Sequence, residues 1–101
     1  MKICLACSAG GHLTELLQLE DSWKRKEHFF VSDNRSNALD LAKKEKVHFV
    51  TCPRRNPLKL VLNFFQSASI FLKERPNIVV STGADTAIPI CLIAKLFGKK
   101  V

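Results

Sequence analysis

The chain has 101 residues, of which 47% are hydrophobic and 25% charged, a composition that predicts one globular domain over residues 1–101 and excludes a disordered tail. Sixteen Lys and Arg residues against nine Asp and Glu residues leave a formal net charge of +7. That charge favours polyanionic partners such as phosphates, nucleic acid or anionic lipid headgroups, but it does not choose among them.

Short apolar runs alternate with segments of helical periodicity, which indicates repeated βαβ units and a parallel sheet. The predicted strands cover residues 3–7, 28–32, 47–51 and 78–81. The predicted helices cover residues 13–24, 37–44, 57–75 and 86–97. Residues 99–101 look like the start of a fifth strand, so we expect the natural chain to continue beyond Val101. The sequence therefore predicts an α/β, Rossmann-like fold with helices on both faces of the sheet.

Four cysteines, Cys4, Cys7, Cys52 and Cys91, raise the question of a disulfide or metal site. Cys4 and Cys7 have the spacing of a redox or zinc motif, but residues three apart on a strand point to opposite faces. We interpret all four as reduced thiols and expect neither a metal nor another cofactor. No apolar run reaches the roughly 20 residues that cross a bilayer, and the N-terminus does not read as a secretory signal, which predicts a cytoplasmic protein.

The first predicted strand leads into a turn that contains Ser8, Gly10, Gly11 and His12. Glycines let backbone N–H groups approach a ligand closely, and the start of a helix favours phosphate oxygens. The turn has neither Walker nor G-x-G-x-x-G spacing, so it is an anion cradle or simply a tight turn. His12 is a candidate general base or phosphate contact, with a capping or exposed imidazole as the alternative.

A second strand-to-helix turn contains Thr82, Gly83 and Asp85. In a doubly wound sheet the carboxyl ends of the first and fourth strands flank the point where strand order reverses and ligands bind. We therefore expect both turns to face one crevice. Asp85 either caps the last helix or contacts sugar hydroxyls.

The predicted helix over residues 57–75 carries apolar side chains over an arc of roughly 200°, wider than the stripe that covers one side of a sheet. Arg54, Arg55 and Lys59 lie at its entrance. A well-buried helix is the simpler interpretation, and the alternative is that part of the arc is exposed and contacts a membrane surface or a partner subunit.

Two stretches together resemble a known family. Residues 8–15, SAGGHLTE, and residues 79–89, VVSTGADTAIP, are similar to the acceptor-side, membrane-recruiting subunit of two-subunit UDP-sugar glycosyltransferases. That group includes PssD-type bacterial polysaccharide biosynthesis proteins and their eukaryotic N-glycan counterpart. The Gly-Gly-His turn is more distantly similar to the N-terminal half of MurG.

The resemblance implies a GT-B N-terminal domain that binds a lipid-diphosphate-linked sugar acceptor, while a separate subunit binds UDP-GlcNAc, UDP-Glc or UDP-Gal and completes the enzyme. It implies a role in exopolysaccharide, capsule or lipid-linked oligosaccharide biosynthesis, at the inner face of the membrane as a peripheral protein. His12 is the candidate catalytic residue. The candidate acceptor- and diphosphate-binding residues are Ser8, Gly10, Gly11, His12, Thr82, Gly83 and Asp85.

Two other classes of function compete with this interpretation. One is a non-catalytic scaffold that recruits a partner enzyme to the membrane. The other is nucleic-acid binding, which we do not expect, because the basic residues are not interleaved with aromatic residues on one strand surface.

Overall fold

A parallel sheet lies between two layers of helices in the structure, a computed structural model that describes residues 2–8, 10–33, 36–51, 56–83 and 85–101. The strands are β1 (Lys2–Cys7), β2 (Glu27–Ser32), β3 (Val47–Phe49) and β4 (Ile78–Gly83). Their order is β3-β2-β1-β4, and each neighbouring pair is parallel. Lys100 forms a parallel bridge with Ile78, where the predicted fifth strand begins. The predicted α/β class is confirmed.

The helices in the described part of the chain are α1 (Gly11–Leu17), α2 (Glu20–Trp23), α3 (Ser36–Leu41), α4 (Pro57–Glu74) and α5 (Ile88–Leu96). The prediction of one helix over residues 13–24 is wrong, because the chain turns between α1 and α2. The indole N–H of Trp23 donates to the Leu16 carbonyl at 3.2 Å, which holds the second segment against the first. The last helix starts later than predicted, since a 3₁₀ turn (Asp85–Ala87) precedes α5.

Helix α4 begins and ends where local chemistry requires. Asn56 caps its N-terminus by accepting hydrogen bonds from the amides of Leu58 and Lys59, and Pro57 occupies its first turn. Arg75 follows the helix in the left-handed region, at a φ of 50°, and Pro76 comes next. Because proline disfavours helix and the left-handed residue redirects the chain, α4 cannot continue into β4.

The two faces of the sheet pack against separate apolar clusters. The cluster on the side of α1, α2 and α3 consists of Ile3, Leu5, Cys7, Leu13, Leu16, Trp23, Phe30 and Ala38. The cluster on the side of α4 and α5 consists of Cys4, Ala6, Phe29, Val31, Val50, Ile70, Phe71, Val79, Ala87, Ile90 and Ala94. Helices therefore cover both faces, as predicted.

Cys4 and Cys7 lie in different clusters, which confirms that they point to opposite faces of the sheet. Together with Cys91 they are free thiols, whereas Cys52 lies outside the described residues. Burial raises the pKa of the Cys4 and Cys7 thiols, that of Cys7 to about 12 with a further contribution from the charge of Asp33. Such thiols remain protonated at neutral pH and act as small apolar core groups.

Helix α3 buries different residues from those that the sequence predicts. We expect Leu39 and Ala42 to face the core on periodicity, but Leu39 is 49% exposed and Ala38 is fully buried. Leu41 packs against the same cluster as Ala38. Leu39 and Ala42 are three residues apart, and so are Ala38 and Leu41, so periodicity alone cannot decide which pair faces the core.

Candidate functional site

The carboxyl ends of β1 and β4 lie side by side at one edge of the sheet. Ala6 pairs with Ser81 and Cys7 with Gly83, with a register shift between these pairs. The chain goes from β1 to β2 and β3 on one side and returns to β4 on the other, so strand order reverses between β1 and β4. Open α/β sheets bind ligands outside the strand ends at such a reversal.

The turn after β1 depends on a glycine conformation at its centre. Gly10 has a φ of 95° and a ψ of −134°, in a region that side chains disfavour, and it precedes α1 without any side-chain cap. Gly11 is the first residue of α1 and is exposed. A Cβ built on either glycine meets no described heavy atom within 4 Å. Backbone strain explains glycine at position 10, but packing within the described residues does not explain it at position 11.

A side chain from α3 holds the Gly10 backbone. The amide of Asn37 accepts a hydrogen bond from the Gly10 N–H at 2.8 Å and donates to the Gly10 carbonyl at 3.1 Å. It also donates to the Thr14 hydroxyl at 3.1 Å, and that hydroxyl lies 3.1 Å from the same Gly10 carbonyl. The Gly10 N–H is therefore engaged within the protein. Sequence reasoning missed Asn37, because a polar residue early in a short helix reads as surface.

Ser8 joins the first turn to the second one. Its hydroxyl donates to the Thr86 hydroxyl at 3.1 Å, and both side chains are buried. Thr86 belongs to the 3₁₀ turn that follows β4. The described contact of Ser8 is thus with the neighbouring turn, and it couples the positions of the two turns.

Asn63, in the middle of α4, extends this connection. Its side-chain amide donates to the carbonyls of Thr86 at 3.2 Å and Thr51 at 2.7 Å. Ser67, one helical turn later, donates to the Asn63 side-chain oxygen at 2.7 Å. Asn63 is fully buried, so these bonds satisfy polar groups that water cannot reach. Asn63 and Ser67 are four residues apart and so lie on one side of the helix, which is a sequence signal for this contact.

The remaining predicted site residues are described to different extents. His12 is exposed at the second position of α1. Thr82 and Gly83 end β4, and Asp85 opens the 3₁₀ turn. The side chains of Thr82 and Asp85, and the whole of Ala84, lie outside the described residues. Within the described part of the chain, no group of three or more His, Cys, Asp and Glu residues is arranged to hold a metal ion.

A charged cluster occupies the opposite, amino-terminal end of the sheet. The Glu74 carboxylate, on a side chain only 4% exposed, lies 3.0 Å from Lys2 Nζ and 2.6 Å from both Lys46 Nζ and His48 Nε2. Burial opposes ionisation of Glu74, but hydrogen bonds from Lys46, His48 and Lys2 outweigh it and hold its pKa at about 2. The cluster ties α4 to β1 and β3, away from the two turns.

Helix α4 buries the apolar residues Ile70 and Phe71 together with polar ones, and it exposes other apolar residues. Its buried positions include Asn63, Ser67 and Glu74. The exposed apolar side chains, here called the outer face of α4, are Leu58, Val61, Leu62, Phe65 and Leu72. At 100° per residue they occupy an arc of about 100°. The interpretation of α4 as a well-buried helix is therefore wrong for these residues, and the alternative, exposure of part of the apolar arc, is observed. Within the described residues, no helix has the length and apolar character that crossing a bilayer requires.

Comparison with solved structures places this architecture among known folds. The structure of MurG from Acinetobacter baumannii superposes on the chain with a TM-score of 0.75, over 98% of this chain and 34% of MurG, at 17% sequence identity. The fold is that of the MurG N-terminal domain. The chain thus spans about a third (34%) of the length of the MurG chain. No protein family matches the sequence, and no curated protein is significantly similar to it.

Proposed function

We propose that the chain is the acceptor-binding part of a glycosyltransferase, and that a separate subunit binds the UDP-sugar donor. The observation that carries this proposal is the pair of turns at the strand-order reversal of a MurG-like fold. The proposed acceptor is a lipid-diphosphate-linked sugar. Its hydroxyl attacks the anomeric carbon of the donor sugar, and UDP leaves.

In this proposal the acceptor diphosphate occupies the space beside Gly11, where a Cβ would meet no described atom within 4 Å. Gly10, the N-cap residue of α1, has no side chain that could cap the amides of the first turn. Amide N–H groups and local positive charge stabilise phosphate oxygens. His12 accepts the proton of the acceptor hydroxyl as general base. Charge on the departing UDP is neutralised by the donor-binding subunit.

The outer face of α4 supports peripheral attachment to a membrane. Five large apolar side chains lie in one exposed stripe, and Leu58 and Phe65 are 81% and 73% exposed. Lys59 and Lys73 are exposed beside the stripe, and the net charge of the chain is +7. An apolar stripe with flanking cations fits the surface of an anionic bilayer. We propose the inner face of the cytoplasmic membrane, where a lipid-linked acceptor is anchored.

Titration of the isotope-labelled chain with geranyl diphosphate, followed by NMR, tests the location of the diphosphate site. We expect the largest amide shifts at Gly11 and His12. Asn77 lies at the other end of the sheet, so its amide serves as the internal control. Saturable shifts confined to another part of the chain, or no shifts at all, would overturn the proposal.

A recruiting scaffold without a catalytic role is the second candidate, and the outer face of α4 is the observation that favours it. Replacing His12 with Ala in the reconstituted two-subunit enzyme separates the two functions. The catalytic proposal requires a large loss of turnover with intact complex formation. Unchanged turnover would support the scaffold instead.

A further inference from the structure

Asn37 uses all of its side-chain hydrogen-bonding groups on the turn after β1. Its oxygen accepts from the Gly10 N–H, and its nitrogen donates to the Gly10 carbonyl and to the Thr14 hydroxyl. An asparagine side chain has one oxygen acceptor and two N–H donors, which match this set of partners. Aspartate would keep the acceptor and lose both donors. The contact therefore depends on asparagine rather than on any short polar residue.

Asn37 supports the turn from another helix, in addition to the bonds that Thr14 makes to the Gly10 carbonyl. Gly10 occupies a backbone region that residues with a side chain rarely adopt, and it carries no side chain that could cap α1. Asn37 reaches it from α3, which is 27 positions later in the sequence. It fixes both polar groups of one peptide residue, the N–H and the carbonyl, and leaves the amides of Gly11 and later residues to other partners.

We propose that Asn37 is a positioning residue for the diphosphate, and that it sets the shape of the turn before the ligand binds. This inference rests on the proposed function. A binding site that is already ordered loses less conformational entropy when its ligand arrives, so removing the support weakens binding even where no ligand contact is lost.

The experiment measures inorganic pyrophosphate affinity and unfolding free energy for the full chain and three variants. Asn37→Ala removes the support, and Asn37→Asp keeps only the acceptor for the Gly10 N–H. Asn77→Ala is the matched control, since the Asn77 side-chain oxygen also accepts from a distant backbone N–H, that of Lys2 at 3.0 Å, but at the other end of the sheet. Hydrogen exchange at the Gly10 amide reports directly on the contact.

We expect Asn37→Ala to bind pyrophosphate about tenfold more weakly, the factor that corresponds to one or two lost hydrogen bonds. Its Gly10 amide should exchange faster. Asn37→Asp should bind more weakly still, because its carboxylate repels the anion. Since aspartate can still accept from the Gly10 N–H, this variant also serves as the test if Asn37→Ala fails to fold. Asn77→Ala should lose comparable stability and keep the affinity of the unmodified chain.

Three results would overturn the inference. Unchanged pyrophosphate affinity in Asn37→Ala or Asn37→Asp would remove the positioning role and leave the proposed function intact. Equal losses of affinity in Asn37→Ala and Asn77→Ala would mean that general destabilisation is responsible. Absence of pyrophosphate binding to the unmodified chain would overturn the proposed function, and this inference with it.

Discussion

Replacing Gly11 with Ala separates a glycine kept for folding from a glycine kept for a ligand. Gly11 starts α1, and an added Cβ meets no described heavy atom within 4 Å. Alanine favours a helix interior over glycine by about 0.5–1 kcal/mol, and less at the first helical position. We therefore expect the free energy of unfolding to stay the same or to rise by up to about 1 kcal/mol, equivalent to a melting temperature up to roughly 4–8 °C higher.

The same methyl group enters the space proposed for the acceptor diphosphate. If phosphate oxygens approach the turn as closely as a glycine permits, the added carbon displaces them, and the affinity for pyrophosphate should fall by at least about tenfold, or 1.4 kcal/mol. Calorimetric titration measures the affinity, and urea denaturation measures the stability. Gly10→Ala is the comparison variant, since its φ of 95° makes it lose stability by about 1–3 kcal/mol for a backbone reason.

Two outcomes would refute this reasoning. If Gly11→Ala binds pyrophosphate as tightly as the unmodified chain, the ligand does not approach the turn at that position. If the free energy of unfolding of Gly11→Ala is lower by more than about 1 kcal/mol, the protein itself, rather than a ligand, needs the space beside Gly11.

Three further perturbations test other parts of the structure. The Glu74 pKa of about 2, below its ordinary value of 4.5, means that its contribution to stability is complete above pH 4.5 and is lost as the pH falls towards 2. Glu74→Gln should therefore lose on the order of 3 kcal/mol at neutral pH and show a shallower acid-side decline in urea denaturation; an unchanged decline would contradict this. Asn63→Leu leaves the buried carbonyls of Thr51 and Thr86 without its amide, so the free energy of unfolding should drop by about 2–4 kcal/mol, whereas a neutral effect would show that these bonds contribute little. Phe65→Asp should abolish sedimentation with vesicles that contain anionic lipid, while Leu39→Asp, at an apolar side chain 49% exposed on α3, should not; equal sedimentation of both variants would remove the outer face of α4 as the membrane contact.

The sheet could be predicted because each strand is a short apolar run, and such runs between helical segments leave few arrangements other than parallel βαβ units. Helix boundaries were harder. Helical periodicity continues through the turn at Gln18 and Leu19. A periodic pattern also does not reveal the hydrogen bond from the Trp23 indole to the Leu16 carbonyl, which holds α2 against α1 after that turn. The inward face of α3 was misassigned by one residue for the same reason.

The glycines of the candidate site could be predicted from the sequence, but the side chains that hold the turn in place could not. Gly10 and Gly11 stand out because glycines after a strand have few structural explanations. Asn37 and Thr86 reach the first turn from 27 and 78 positions away, and nothing local marks either residue as its partner. These contacts require knowledge of which helix lies over which strand end, and that information is tertiary.

The presence of both polar and apolar residues on the buried side of α4 has a consequence for how the helix is oriented about its own axis. Large apolar side chains lie on both sides of the helix, Ile70 and Phe71 on the buried side and Leu58 and Phe65 on the exposed side. The hydrophobic effect alone therefore opposes only weakly a roll of about half a turn that would exchange the two sides. Asn63 near its middle and Glu74 at its end oppose that roll, because rotation would break the hydrogen bonds of Asn63 and the ion pair of Glu74. Polar bonds thus act together with the burial of Ile70 and Phe71 to select the rotational state of α4.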